Sequence, residues 1–281
     1  LRPQTDPEML TSTFTRHTTK SFYYLSLIAS TTTRTMASLP STLTGPPVAS
    51  LVPPKVCQFG PDFTDVPLLE TFKVSDSTSV FRFGVPDTSK PLNLSTCACI
   101  LAQAEIGGEG VVRPYTPIST NANVGYFDLL VKNYGETAKM SRHMHEMKVG
   151  DKLNFKHIDF NVKMQPDEFM KYDEILMLVG GTGVTPMIQA LHAILGSDKK
   201  QPIVTMLYGS RVSSDILGKE CLHKWAADYP EQFKLTDVLS HEPADSDWKG
   251  ARGYITKEMI AECFPAADDA NKKVMIFVCG P

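Results

Sequence analysis

The sequence predicts two domains in one chain, a small antiparallel β-barrel followed by a doubly wound parallel sheet with helices. Three observations predict this β plus α/β arrangement. Short alternating segments separated by polar turns fill Val66 to Asp167. Continuous apolar runs alternate with helical stretches from Tyr172 to Pro281. The length of 281 residues suits about two domains. The expected boundaries are residues 1–55 for a disordered or targeting segment, 56–168 for the barrel and 169–281 for the parallel sheet.

In the barrel region, Val80-Phe81-Arg82-Phe83-Gly84-Val85 alternates apolar and polar residues, as a half-buried strand does. Gly125 to Lys132 and Leu153 to Lys156 read as further strands, with turns at Asn121-Ala122-Asn123 and Gly150-Asp151. A short helix over Arg142 to Met147 is expected, with Ser141 as its N-cap. His143 and His145 are two apart, the wrong spacing for one helical face, and are expected at the surface. In the second region, Ile175 to Val179, Ile203 to Tyr208, Phe233 to Leu239 and Val274 to Val278 read as strands. Met187 to Leu195, Leu217 to Asp228 and Lys257 to Cys263 read as the helices between them.

Composition bounds the function. Hydrophobic residues make up 42% and charged residues 21%, ordinary for a globular chain. A net charge of -3 gives no support to a nucleic-acid partner. Six cysteines include a C-x-C at Cys97 and Cys99 but no C-x-x-C, which argues against a disulfide framework and against a zinc or iron–sulfur site. Scattered cysteines suit a reducing compartment. From Met9 to Pro61 there is no Asp or Glu, and the stretch is rich in Ser and Thr with Arg16, Lys20 and Arg34. That composition predicts an organelle transit segment, mitochondrial by preference, with the cytoplasm or the endoplasmic reticulum surface as alternatives. The apolar run Phe22 to Ala29 is too short to span a bilayer. The final strand runs straight to Pro281, and the chain reads as cut short there.

Two motifs carry the chemistry. In Arg113-Pro114-Tyr115-Thr116-Pro117, the guanidinium is a planar fork suited to phosphate, the prolines stiffen the segment, Tyr115 offers a flat face and Thr116 adds a donor and acceptor. A tight turn around a buried tyrosine would look the same. The second motif, Gly180-Gly181-Thr182-Gly183-Val184-Thr185-Pro186-Met187, follows the first apolar strand of the parallel sheet. Glycine-rich turns there let a backbone approach a pyrophosphate, although neither a P-loop nor a G-x-G-x-x-G is present. Gly209-Ser210-Arg211 and Cys279-Gly280-Pro281 follow two other strands, at the ends where such sheets bind ligands.

Read in order, Arg-Pro-Tyr-Thr-Pro, Lys-Met-Ser, Gly-Gly-Thr-Gly-x-Thr-Pro-Met and Cys-Gly-Pro resemble the cytochrome b5 reductase branch of the ferredoxin–NADP reductase superfamily, from about Val66 to Pro281. The resemblance implies a six-stranded FAD-binding barrel followed by an NAD(P)H-binding domain. By matching position, Arg113 would hold the FAD phosphate, and Pro114, Tyr115, Thr116 and Leu130 would line the flavin site. Lys132 would lie near the reactive edge of the flavin. Lys139, Met140 and Ser141 would wrap the pyrophosphate at a helix start. Gly180, Gly181, Thr182 and Gly183 would bound the dinucleotide, with Gly280 and Pro281 beside them. Thr185 would touch the flavin from the second domain, and Cys279 would position the nicotinamide. Lys132, Thr185 and Cys279 are the implied catalytic residues. The implied reaction passes a hydride from NADH to FAD and then single electrons to a haem protein such as cytochrome b5. No metal is implied, and a monomer is expected, brought near a membrane by its N-terminal segment.

The chain departs from the family pattern at three points. Ala138 stands where Gly usually precedes Lys-Met-Ser. His157-Ile158-Asp159-Phe160 replaces a Gly-Pro-x-Gly loop. Ser240-His241 stands where NADH-preferring members often carry an acid. Two other readings fit the same residues: a related reductase domain serving another acceptor, of nitrate reductase type, and a non-catalytic nucleotide-binding relic of the fold.

Overall fold

A computed structural model describes residues 38–50, 57–161, 164–264 and 271–281. The expected disordered or targeting segment falls outside these residues except for 38–50, which prove to be part of the fold. There α1 (Ser41–Thr44) is a single turn with Leu43 buried, and it packs on a helix of the second domain.

The first domain is built from β1 (Thr64–Lys73), β2 (Thr78–Gly84), β3 (Ile100–Ile106), β4 (Glu109–Tyr115), β5 (Tyr126–Lys132), α2 (Lys139–Glu146) and β6 (Lys152–Lys156). In β3, Ile100, Ala102 and Ala104 point inward while the residues between them are more exposed, the two-residue period of a pleated strand. The β3–β4 hairpin turns on Gly107-Gly108, both at positive φ of 62° and 78°, which a two-residue hairpin loop favours. The six strands form one antiparallel sheet in the order β4-β3-β6-β1-β2-β5. It curls around Phe59, Phe81, Phe83, Phe127 and Phe155, all buried, with Phe83 and Phe155 ring centres 5.0 Å apart. The expected barrel is therefore an open one. Its two edge strands, β4 and β5, are not hydrogen-bonded to each other, and a seam separates them.

The second domain follows α3 (Pro166–Phe169). It runs β7 (Glu174–Gly180), a 3-10 turn at Gly181–Gly183, α4 (Val184–Leu195), β8 (Ile203–Ser210), α5 (Lys219–Asp228), β9 (Phe233–Leu239), β10 (Ala251–Arg252), α6 (Lys257–Cys263) and β11 (Val274–Cys279). All strands are parallel, in the order β10-β9-β8-β7-β11. Successive strands step outward from β7 on one side, and then β11 returns to its other side. That reversal is the switch point where open α/β sheets bind ligands. Among the described residues β11 pairs only with β7, and Val278 is 74% exposed.

One buried side chain ties the domains together. Gln189 of α4 donates to Ser119 O at 3.0 Å and accepts from Cys97 N at 2.7 Å, both in loops of the first domain. Cys97 is held at φ 65°, a conformation rare outside glycine. Farther along α4, His192 accepts from Val48 N at 3.0 Å through Nδ1 and faces Thr42 O at 3.2 Å through Nε2. Trp225 Nε1 donates to Gly45 O at 3.1 Å. Residues 42–48 are thereby strapped across α4 and α5.

Candidate active site

The arginine–tyrosine motif begins on β4 and ends in a loop stitched to β5. Ile118 N donates to Asp128 O, and Asp128 N donates to Ser119 Oγ, both at 2.9 Å. Asp128 itself is fully buried and takes two bonds from Arg82, at 2.8 and 3.0 Å. Burial raises its carboxyl, and Arg82 pulls it back down. The segment is thus held by β4 pairing with β3 at its start and by Asp128 at its end, and Arg113, Pro114, Tyr115 and Thr116 lie on one side of the open seam. Leu130 and Lys132 of β5 lie on the other side.

Arg113 is exposed, and its guanidinium bonds only the neighbouring Val112 O, at 2.8 Å. It has no acidic partner among the described residues, so its fork is available to an anion. Burial pushes the Tyr115 phenol up to about 12, with Arg113 opposing the shift, so the ring is neutral over the physiological range. Lys132 Nζ reaches across to the second domain and meets Asp215 Oδ1 at 2.6 Å, both side chains mostly covered.

The helix start differs from expectation. Ala138, not Ser141, is the N-cap of α2, and no side chain caps it. Ser141 lies inside the first turn, where its hydroxyl donates to Ala138 O at 3.1 Å. Lys139 is turned away to pair with Glu109 and does not line the cleft, whereas Ala138, Met140 and Ser141 do. An uncapped first turn leaves backbone N–H groups facing the cleft, which suits a phosphate. His145 is not a simple surface residue. Its Nδ1 faces Ser141 O at 2.8 Å and its ring packs edge-on against Phe81 at 5.0 Å.

On the opposite wall, the glycines of the second motif do different jobs. A Cβ on Gly183 would lie 2.2 Å from Cys279 O, so this glycine exists to let β11 close against the turn. Gly180 and Gly280 also cross closely, a Cβ on Gly280 falling 2.9 Å from the Gly180 backbone. Gly181 is different: it has φ 50°, and a Cβ there would meet nothing within 4 Å, so its backbone faces open space. Thr182 takes a bond from Tyr134 OH at 3.2 Å, across from the first domain. Thr185 is buried at the start of α4, its hydroxyl bonded to Thr182 O at 3.2 Å. Burial raises the Cys279 thiol, so it stands as a neutral, compact group beside the turn.

All these elements meet in one cleft of about 1430 Å³. Tyr115 and Thr185 both line it, as does every residue expected to bind a cofactor except Lys139; Pro117, Val184 and Met187 of the two motifs lie outside it. The cleft exceeds what one drug-sized ligand needs and suits two nucleotides end to end. A free arginine, an aromatic face and open helix-start donors stand at one end, and a glycine turn at a switch point stands at the other. That donor set fits FAD on the β side and a nicotinamide dinucleotide on the α/β side.

Comparison with known proteins agrees. Residues 65–162 match the oxidoreductase FAD-binding domain family, and residues 177–281 match the oxidoreductase NAD-binding domain family. The chain is 39% identical to NADH-cytochrome b5 reductase 1 of Scheffersomyces stipitis over 220 residues, covering 78% of this chain and 74% of that protein. The chain belongs to the NADH-cytochrome b5 reductase family. Another reductase of that family, NADH-cytochrome b5 reductase 2 of Yarrowia lipolytica, is 38% identical over 78% of this chain and 73% of its own length. Among solved structures, the cytochrome b5 reductase domain of Ulva prolifera nitrate reductase aligns with a TM-score of 0.68 at 25% identity, over 83% of this chain and 90% of that one.

As a member of the reductase family, the chain is a flavoprotein oxidoreductase using FAD and NADH. Sequence reasoning singled out most of the reductase cleft but gave no role to Tyr134, Asp215 or Tyr254, which also line it. Asp215 lies 83 positions from its partner Lys132, and no local pattern signals such a pair.

Proposed function

We propose that the chain moves electrons from NADH through FAD to cytochrome b5 or a similar one-electron haem acceptor. The single observation that carries the proposal is the shared cleft, in which Tyr115 of the β domain and Thr185 of the α/β domain face the same space. Bound FAD supplies the conversion from a two-electron donor to a one-electron acceptor, which side chains cannot perform. The protein's part is binding, orientation and charge. Arg113 and the open N–H groups of α2 hold phosphate. Tyr115 and Leu130 fix the plane of the ring. The turn at Gly181–Gly183 holds the donor dinucleotide, while Thr185 and Cys279 limit how far its ring can tilt. Lys132 would offer an ammonium to the flavin side of the cleft, where a cation would favour added negative charge.

The test is direct. The purified protein reconstituted with FAD should show flavin absorption, bleach on anaerobic addition of NADH and recover when oxidised cytochrome b5 is added. Bleaching without recovery would favour the nitrate reductase type of acceptor reading. FAD bound but never bleached would favour the non-catalytic relic.

The acid-poor composition of the N-terminal stretch supports delivery to the mitochondrion. No helix among the described residues is long and apolar enough to cross a membrane. Residues 1–37 fused to a fluorescent reporter should follow mitochondria, and a diffuse signal would reject that address. Sedimentation of the reconstituted protein should give the mass of one chain, 31.0 kDa plus its flavin.

A further inference from the structure

We propose that the far end of the cleft is a phosphomonoester subsite, so that the chain oxidises NADPH as well as NADH. This rests on the proposed function, because it takes the cleft as the dinucleotide site.

The nicotinamide end belongs at the turn after β7, beside Thr185. From there the cleft runs toward the β8 and β9 ends of the sheet, where Gly209, Ser210, Arg211, Val238, Ser240 and His241 line it, so the rest of a dinucleotide has that side to cross. Neighbouring strands lie about 4.8 Å apart, so the β9 end is roughly 10 Å from that of β7. The cleft continues over just these ends, lined by Ser210 at the end of β8, Arg211 after it, Ser240 and His241 after β9, and Tyr254. The adenosine ribose of a bound coenzyme falls among them.

The chemistry of those residues decides which ribose they accept. Dinucleotide sites selective for NAD place a carboxylate on the ribose 2′-hydroxyl, and sites for NADP place an arginine by the 2′-phosphate. Here Arg211 is exposed and its side chain has no hydrogen-bond or ion-pair partner among the described residues. Two backbone bonds hold it beside the β9 end: His241 N to Arg211 O at 2.8 Å, and Ser240 N to Ser210 O at 3.0 Å. Ser240 Oγ lies 2.8 Å from His241 Nδ1, so a hydroxyl and an imidazole stand together in the cleft that Arg211 also lines.

The nearby carboxylates are all committed elsewhere. Glu242 accepts from Ser213 N at 2.7 Å and Ser213 Oγ at 3.0 Å, and it does not line the cleft. Asp237 is buried, with His223 Nε2 at 2.7 Å. Asp215 lines the cleft but is paired with Lys132. A 2′-phosphate therefore meets a fork of donors and a hydroxyl with no facing negative charge. The reaction itself is unchanged: the nicotinamide C–H bond breaks, its electron pair leaves with the hydrogen for the flavin, NADP⁺ remains, and the phosphate takes no part.

Two measurements test the subsite. Calorimetric titration of the FAD-loaded protein with 2′,5′-ADP and with 5′-AMP reads the phosphate without turnover. The 2′-phosphorylated probe should bind about tenfold tighter, and Arg211→Ala should erase that difference. Steady-state rates should show NADPH turnover, with the NADPH-to-NADH ratio of kcat/KM falling about tenfold in Arg211→Ala and in Ser240→Asp. An unaltered flavin spectrum in each variant reports that it has folded. Equal affinity for the two probes in the unsubstituted protein, or a ratio unmoved by Arg211→Ala, overturns the subsite while leaving NADH oxidation intact. Failure of NADH itself to reduce the flavin overturns the proposed function as well.

Discussion

At Lys132 one ammonium has two claimants. In the structure it is paired with Asp215 at 2.6 Å, yet it lies in the cleft where a reduced flavin would carry negative charge. A cation beside that charge favours the reduced state, and a carboxylate beside the cation weakens the effect. Lys132→Met should therefore lower the two-electron potential of bound FAD, and Asp215→Asn should raise it. A loss of about 1.4 kcal/mol corresponds to about 30 mV for a two-electron couple. Reductive titration against a dye of known potential reads both shifts, and two unmoved potentials would place Lys132 away from the ring. Arg113 makes a different contribution, because it has no rival partner. Removing a charge-assisted bond costs about 1.5–3 kcal/mol, so Arg113→Ala should weaken FAD binding by about ten- to a hundredfold. Flavin-to-protein ratios after gel filtration check this, and full occupancy would remove Arg113 from the phosphate site. Arginine in a stiff Arg-Pro-Tyr-Thr-Pro context could be read from the sequence as a donor fork suited to phosphate, and the structure leaves that fork without an acidic partner among the described residues. The rivalry at Lys132 could not be read there, because it is formed by tertiary contact alone.

Helix α4 shows how one element serves site and stability together. Its first turn presents Thr185 to the cleft, Gln189 bolts it to the β domain, and His192 anchors the strap at residues 42–48. Burial lowers His192 from 6.5 to about 4, with the Thr42 carbonyl opposing the shift. The unfolded chain then binds a proton between those values that the folded chain refuses. This contribution to stability is fully present above pH 6.5 and is lost as the pH falls toward 4. Its full extent is up to about 3 kcal/mol. Denaturant midpoints at pH 7.5 and 4.5 should therefore fall less in His192→Gln than in the unsubstituted protein, and equal falls would show that His192 titrates normally. The apolar stretch from Met187 to Leu195 made this helix legible. The strap was not, since a segment without acids and rich in hydroxyls reads as unstructured until a partner surface exists. The β3–β4 hairpin could have been read, because Gly107-Gly108 between two alternating runs is a hairpin signal. The start of α2 was misplaced because serine is a favoured cap, and here its hydroxyl turns back inside the first turn instead.

At the scale of the molecule, two gaps in regular structure make the site. One is the seam between β4 and β5, and the other is the switch point between β7 and β11. Each motif sits at the lip of one gap, so the sequence revealed the contents of both lips, while only the fold shows that they face each other. The same geometry has a consequence for stability. A ligand that fills the seam joins β4, β5 and α2, which are otherwise not closed into a barrel, and it binds only the folded state. FAD at about 100 times its dissociation constant should add about 2.7 kcal/mol to the apoprotein. For a chain of this size that is a rise of several degrees in Tm, on the order of 2–4 °C per kcal/mol. With Gln189 bonded to both Cys97 and Ser119, the two domains should melt in one transition that moves as a whole when FAD is added. Scanning calorimetry with and without FAD distinguishes the outcomes. A second transition that ignores FAD would mean that the domains are not coupled through α4, and an unmoved Tm would mean that the seam is not where the flavin binds.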